Sequence, residues 1–195
     1  MFYPRVGIEI GISAVVNQLN HYQSIFNDLS EELDLSGYQS PHTINNPAFA
    51  VNLGFIIKIS RQVSLAGTSL FTIGFGDNED YYEDVESFRL FFAELHYLYP
   101  LESLSPWIGI GYAFQSLTII NKYSGVDAKL KSQANSIFFA AGLDVDINKK
   151  INFVFALRYF PFGEKEIHIS RGEIKARDAI NLSNLMISSG IVINL

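Results

Sequence analysis

Cysteine is absent from the 195 residues, so disulfides and thiolate chemistry are both excluded. Cations are scarce. With 14 Lys and Arg against 20 Asp and Glu, the net charge is −6, and no basic stripe exists to neutralise nucleic-acid phosphates. No apolar run approaches the ~18 residues that a membrane-spanning helix needs. The opening "MFYPRVGIEIG" lacks a basic segment followed by an apolar segment and a cleavage site, so any export signal is expected to have been removed already. A nucleotide fingerprint is missing too. In "PWIGIGYAF", Gly109 and Gly111 are followed by Phe114 where a third glycine should stand, and Gln115, Ser116 and Leu117 show no helical period.

What is present is apolar and aromatic: 48% hydrophobic residues, 17% charged, 16 Phe and 10 Tyr, enough to bury a substantial core as one domain. The pattern has period two. Ile108, Ile110, Tyr112 and Phe114 alternate with Trp107, Gly109, Gly111 and Ala113. Similar alternation runs through Val6–Ser13, Phe49–Ile59, Val63–Gly76, Ser87–Tyr99, Ile137–Ile147, Ile151–Tyr159 and Leu185–Leu195. The intervening segments alternate between short turns such as "PLESLS" and "NKK" and long polar loops, among them Lys122 to Gln133 and Phe162 to Asp178.

An even number of antiparallel strands, with tight turns at one end and long loops at the other, predicts an all-β fold. It is an eight-stranded antiparallel up-and-down transmembrane β-barrel over residues 1–195, with short periplasmic turns and long extracellular loops. A closed barrel satisfies every backbone hydrogen bond without water, and tilted strands of ~10 residues cross the hydrocarbon core. The rival is a soluble barrel of the lipocalin kind. It would carry Lys, Glu, Arg and Thr on its outer face, whereas the small-residue face here is mostly Gly, Ala, Ser and Asn, suited to a narrow lumen. The expected location is the bacterial outer membrane.

The stretches "FRLFFAELHYLYP", "PWIGIGYAF" and "SIFFAAGLDVDINKKINFVFALRYFPF", between Phe88 and Phe162, carry a resemblance. In the order Y-x-x-P, P-[WY]-x-G-x-G, G-x-D and L-x-Y they resemble the OmpW family of small outer-membrane barrels, and more loosely the OmpA-type and OmpX-type barrel domains. Such barrels usually finish in an aromatic residue where this chain has Leu195. The resemblance implies passive uptake of small hydrophobic molecules through a narrow channel or binding barrel. The opposing reading is a structural or surface-interaction barrel with a plugged lumen, serving adhesion or envelope integrity.

Counting from the turns assigns a depth to each inward residue. Glu9, Lys58, Glu94, His96, Asp144, Asp146 and Asn152 fall in the periplasmic half, with Arg158 nearer the middle, and would form a polar plug. Leu70, Leu90, Phe92, Leu117, Phe138, Phe160 and Met186 would line an apolar vestibule above it. If "PLESLS" closes its hairpin symmetrically, Glu94 lies opposite Gly111 and His96 opposite Gly109, so that two missing side chains make room for two long polar ones. Trp107 is placed in the periplasmic aromatic girdle or just inside it. The acids are expected to engage Lys58 or Arg158 across the lumen, because buried charges must be paired. Such a network either fills the barrel or gates a hydrophobic ligand site.

Other candidates weigh less. His96 beside Glu94 is more often structural than a metal ligand or an acid-base pair, so no metal site is expected. "DNEDYYEDVE" lacks the spacing of a calcium loop and is read as a solvated surface loop. Ile25, Phe26, Leu29 and Leu33 fall at helical spacing and permit a short amphipathic helix over the mouth. His168 and Ser170 of "EIHISRGE" suggest a lipid A-modifying hydrolase, but no third residue orients the histidine. No catalytic residue and no cofactor are therefore assigned, and the chain is read as not an enzyme. Lys165, Arg171, Lys175 and Arg177 in the same loop either contact lipopolysaccharide phosphates or are solvated. The expected partners are outer-membrane lipid and lipopolysaccharide, with small hydrophobic molecules as candidate ligands, no nucleic acid, and a monomeric state.

Overall fold

The computed structural model describes residues 5–17, 48–71, 82–123, 126–171 and 174–195. They form ten strand segments: β1 (Arg5–Asn17), β2 (Ala48–Lys58), β3 (Val63–Phe71), β4 (Tyr82–Leu98), β5 (Leu104–Tyr123), β6 (Val126–Asp146), β7 (Ile151–Phe160), β8 (Glu164–Arg171), β9 (Ile174–Asn181) and β10 (Asn184–Asn194). Neighbours pair antiparallel from β1 through β7, β7 pairs with β10, and β10 returns to β1, so eight segments close a ring. Following paired residues from Glu9 leads one way through Gly54, Thr68, Phe92 and Ala113 to Ser136, and the other way through Val192 and Asn152 to Asp146. The two paths reach β6 at positions 136 and 146, the stagger of a barrel whose strands tilt by roughly 40°.

Alternation decides which side chains meet inside. Along β7, Phe153, Phe155, Leu157 and Tyr159 face out while Val154, Ala156, Arg158 and Phe160 are buried. Outward residues on the other strands are equally apolar; Phe49 is 74% exposed, Ile108 67% and Phe139 61%. A belt of this kind round a closed sheet is unsuited to water and matches a hydrocarbon surround. No helix of the described structure is long and apolar enough to cross a membrane, and crossing is by strands.

The turns at one end are tight and locally capped. Ser60 Oγ accepts from the amides of Gln62 and Val63, and Asn148 Oδ1 accepts from those of Lys150 and Ile151, the usual role of short polar side chains in turns. Between Leu101 and Leu104, Glu102 takes a positive φ of 25°.

At the other end the ladders run further than the hydrophobic pattern does. Tyr82–Glu86, read as part of a surface loop, belongs to β4, and Lys122 together with Val126–Gln133, read as a loop, lies in β5 and β6. The expected loop from Phe162 to Asp178 contains β8 and most of β9. These extensions rise above the apolar belt. Above the belt the wall no longer meets hydrocarbon, so charged residues such as Asp127, Lys129 and Lys131 stand between Val126, Ala128 and Leu130, and the stretch reads as polar. Residues 72–81, with the first half of the acidic run, and the helical spacing at 25–33 lie outside the described residues.

One seam interrupts the wall. β6 pairs with β7 as far as Phe139 opposite Tyr159, and resumes with β8 at Lys131 opposite His168. Between these points Ser136 Oγ donates to the Pro161 carbonyl at 3.0 Å and Ser132 Oγ to that of Glu166 at 3.1 Å. The break falls at Pro161–Phe162–Gly163, where proline lacks a ladder donor and Gly163 takes φ 68°.

Candidate functional site

The lumen is filled in layers by side chains from all eight wall strands. Lowest, near the turns, Lys58 Nζ lies 3.7 Å from Asp144 Oδ2, and Trp107 Nε1 donates to Asp144 Oδ1 at 3.0 Å. The indole stacks on the His96 ring with centroids 4.0 Å apart. His96 Nδ1 lies 3.3 Å from Ser64 Oγ, and its Nε2 stands 3.0 Å from Glu94 Oε1 without hydrogen-bond alignment. Asn194 donates to Asn152, and Asn152 to Asp146.

Above this floor, Arg158 spans the barrel from β7 to Glu94 on β4. Its Nε donates to Oε2 at 3.0 Å and its Nη2 to Oε1 at 2.6 Å, the two-pronged geometry that makes Arg–carboxylate pairs strong. Nη1 donates to Ser188 Oγ at 2.7 Å, and the guanidinium carbon lies 4.9 Å from the Phe92 ring centre and 5.9 Å from that of Trp107. Arg158 and Glu94 are both buried. Burying two charges is tolerable only when their donors and acceptors are engaged, and here each of the three guanidinium nitrogens has a hydrogen-bond partner. At a similar depth Ser13 Oγ donates to Asn52 Oδ1, and Asn52 Nδ2 donates to Glu9 Oε1, each at 3.1 Å.

Next comes the apolar layer. Phe138 and Phe160 have ring centres 4.6 Å apart, and Phe92 lies 5.4 and 5.7 Å from them. Phe162, at the break after β7, stacks on Phe160. Leu70, Leu90 and Met186 complete the layer, fully buried. It is roofed by an amide bridge in which Asn184 Nδ2 donates to Gln115 Oε1, both residues being buried.

Of the fifteen expected plug and vestibule residues, all but Asp146 are held within the lumen, and the structure adds corrections. The apolar residues do not form an open vestibule; they pack on one another beneath the Gln115–Asn184 bridge, and Leu117 lies beyond that bridge on the extracellular side. Asp146 is exposed at the mouth, because β6 ends there below the packed floor. Trp107 is buried inside the lumen, since it shares the inward parity of Gly109 and Gly111. The register sets Glu94 opposite Gly111 and His96 opposite Gly109, as the symmetric turn requires. The space at Gly109 adjoins the His96 ring, but a Cβ on Gly111 would strike the Phe138 ring and the Ala93 carbonyl, so that glycine accommodates Phe138 and not Glu94. Gly142 does the same for the Trp107 ring.

Sequence reasoning missed Gln115, Asn184, Ser188, Asn52 and Ser13 as lumen partners. The available signal was their inward parity on strands whose neighbouring inward residues are apolar or charged. His168 and Ser170 of β8 pair in register with Arg177 and Lys175 of β9, and His168 is exposed. Among the described residues no cluster of His, Asp and Glu is able to hold a metal ion.

A closed eight-stranded ring, an apolar outer belt and a packed polar lumen define a transmembrane β-barrel of the small outer-membrane class. No protein-family model and no curated protein matches the sequence. Solved structures do share the fold. Ail, the attachment invasion locus protein of Yersinia pestis, has a TM-score of 0.61 at 10% identity over 100% of both chains. Neisserial surface protein A has 0.58 at 10% over 97% of this chain and 96% of its own, and OprG from Pseudomonas aeruginosa 0.54 at 12% over 98% and 94%. At such identities the likeness is one of fold.

Proposed function

We propose that the chain is a bacterial outer-membrane barrel with a plugged lumen, working as a structural or surface-interaction barrel. The observation that carries this reading is the Arg158–Glu94 clamp, which bridges the lumen at mid-depth with both residues buried, under a ring cluster that is buried as well. An axial solute would have to break a desolvated ion pair and then displace packed rings. The long ladders of β4, β5 and β6 with the β8–β9 hairpin support an interaction role, since they carry a sheet beyond the belt. The names of Ail and Neisserial surface protein A, an attachment protein and a surface protein, are in keeping with it. Planar-bilayer recording tests the reading. The native barrel is expected to give no steady conductance above leak, and a stable open level would overturn it.

The second reading, passive uptake of small hydrophobic molecules, is supported by the resemblance to the OmpW family and by one observation. The apolar layer abuts the seam in the wall, where Phe162 tucks beside Phe160 and two serine hydroxyls replace a ladder. Uptake by native chain and by Phe92→Arg separates the two. A hydrophobic conduit loses uptake on placing a cation among those rings, whereas a plugged barrel gives indistinguishable traces.

A further inference from the structure

Eight of the 14 Lys and Arg lie on the side of the long connections, and strand register sorts them. Lys131 of β6 pairs with His168 of β8, and His168 with Arg177 of β9; one repeat farther out, Lys129 pairs with Ser170 and Ser170 with Lys175. Lys165 and Arg171 take the alternate positions of β8. In the other direction the Lys131 row continues to Thr118 of β5, and the row beneath it holds Gln133 of β6, Ser116 of β5 and Arg89 of β4.

Parity sets which way these residues face. Phe138 and Leu90 fill the lumen, so Lys131, Gln133 and Arg89 take the outward positions of their strands, and all three are exposed, as is His168. Ser116 and Thr118, between them, are half-buried. The Lys131 and Lys129 rows contain no acid. The nearest acids at positions of the same parity are exposed Glu166, one repeat below His168, and Asp127, one repeat beyond Lys129.

Depth follows from the belt. Arg89 pairs with Phe71 and stands two residues above Phe91; both rings are exposed and meet edge to face at 6.0 Å, and Phe114 pairs with Phe91. Arg89 therefore begins where the belt ends. Lys131 lies two strands across and one repeat up from it, about 12 Å at ~4.8 Å per strand and ~3.3 Å per residue. The row from Glu9 to Ser136 climbs from β1 toward β6, so the step across and the step up add, and Lys131 stands farther from the membrane almost directly above Arg89.

We propose that this outward face of β4, β5, β6 and β8 docks the phosphorylated sugar headgroup of an outer-leaflet glycolipid of the lipopolysaccharide class. The inference rests on the outer-membrane reading. Arg89, next to the ring pair, takes a phosphate at the hydrocarbon boundary; Ser116, Thr118 and Gln133 supply hydrogen bonds to sugar hydroxyls; Lys131 with His168 meets anionic groups on the sugars above. A glycerophospholipid offers a phosphate at one depth only. Two cationic levels, two strands and one repeat apart, select a headgroup that continues outward.

The test measures lipid retained by the barrel refolded into phosphatidylcholine vesicles doped equally with lipopolysaccharide and with the same lipopolysaccharide after enzymatic dephosphorylation. The native chain is expected to retain the phosphorylated form on the order of five-fold over the other at low salt, the scale of one well-placed cation at an anionic surface. The preference should fade as salt is raised, since exposed charges are screened within ~10 Å at 0.1 M. It should vanish in Arg89→Gln/Lys131→Gln, with heat-modifiable migration reporting that the variant is folded. Should that variant fail to fold, Lys131→Gln alone, at an exposed position beyond the belt, must still weaken the preference. Lipid A without core sugars separates the two levels: Arg89→Gln should lower its retention and Lys131→Gln should not, and an equal effect of the two overturns the two-level arrangement. Equal retention of the two forms by the native chain, or an unchanged preference in a folded variant, overturns the proposal. So does complete competition by the phosphorylated core oligosaccharide free in solution, which would make the face a site for soluble glycans. A native chain that does not enter the vesicles overturns the membrane reading itself, a separate outcome.

Discussion

The lower and upper halves of the lumen share one wall and one ladder but are filled by different physics. Below, directed contacts join Arg158 to Glu94 and Asp144 to Trp107 and Lys58, with His96 stacked on Trp107 between the two groups. Above, Phe92, Phe138, Phe160 and Met186 are held by shape and exclusion of water. A directed network punishes the loss of one member more than the loss of both. A packed layer punishes lost volume whichever residue supplies it. Conduction, ligand entry and rigidity should therefore respond differently to substitutions in the two halves.

The sharpest way to break the lower half is Glu94→Ala. It strands a guanidinium that is buried against Phe92 and Trp107, and should cost about 3–5 kcal/mol in urea unfolding of the refolded barrel. Glu94→Met with Arg158→Met should recover most of that loss, since two apolar side chains of similar volume need no partner. If the double variant is as weak as the single, the clamp is not a self-contained pair. In the upper half Phe138→Ala should cost about 3 kcal/mol, through the lost rings of Phe92 and Phe160 as neighbours, and no second polar substitution should rescue it. The same unfolding measurement checks it, with Phe138→Leu expected to recover a large part.

The roof between the apolar layer and the extracellular side tests where directed contacts stop. Asn184→Leu leaves the buried Gln115 amide without its bridge and should cost about 1–3 kcal/mol, while Gln115→Leu with Asn184→Leu should be close to neutral. Under the second functional reading, the double variant should also speed uptake of an apolar probe. Under the plugged reading, uptake stays at background.

Much of this was legible in the sequence because period-two alternation is unusually strict here: β7 and β10 alternate between buried and outward positions almost without exception. The symmetric "PLESLS" turn fixed the opposition of Glu94 to Gly111 and His96 to Gly109. Parity alone also separated Leu70, Leu90 and Phe92 from their lipid-facing neighbours. Three things escaped. The strand extensions at Tyr82–Glu86 and Val126–Gln133 each carry three charged residues, which read as loop even though Val126, Ala128 and Leu130 alternate with Asp127, Lys129 and Lys131. The roof depends on Gln115 meeting a residue 69 positions away, which needs the stagger of the closed ring. Gly111 faces both its neighbours, and a local hairpin argument sees only the β4 side, so it assigned to Glu94 a space that Phe138 occupies from β6.

Trp107 shows how fine the comparison can be made. As the chain's one tryptophan, close to a turn, it fits an aromatic girdle as well as a lumen; its parity with Gly109 and the facing Gly142 settle it inward. Trp107→Phe keeps an aromatic surface against His96 but removes the donor to Asp144 Oδ1. Asp144 still has Lys58 at 3.7 Å, and that lysine is 22% exposed, so water can share the charge. The loss should therefore be about 1 kcal/mol, far below that of Glu94→Ala, although both substitutions remove a carboxylate contact in the same half of the lumen. An equal loss from the two would mean that the floor and the clamp unfold as one network. A clear gap would place the boundary between hydrated and dry lumen between Asp144 and Glu94.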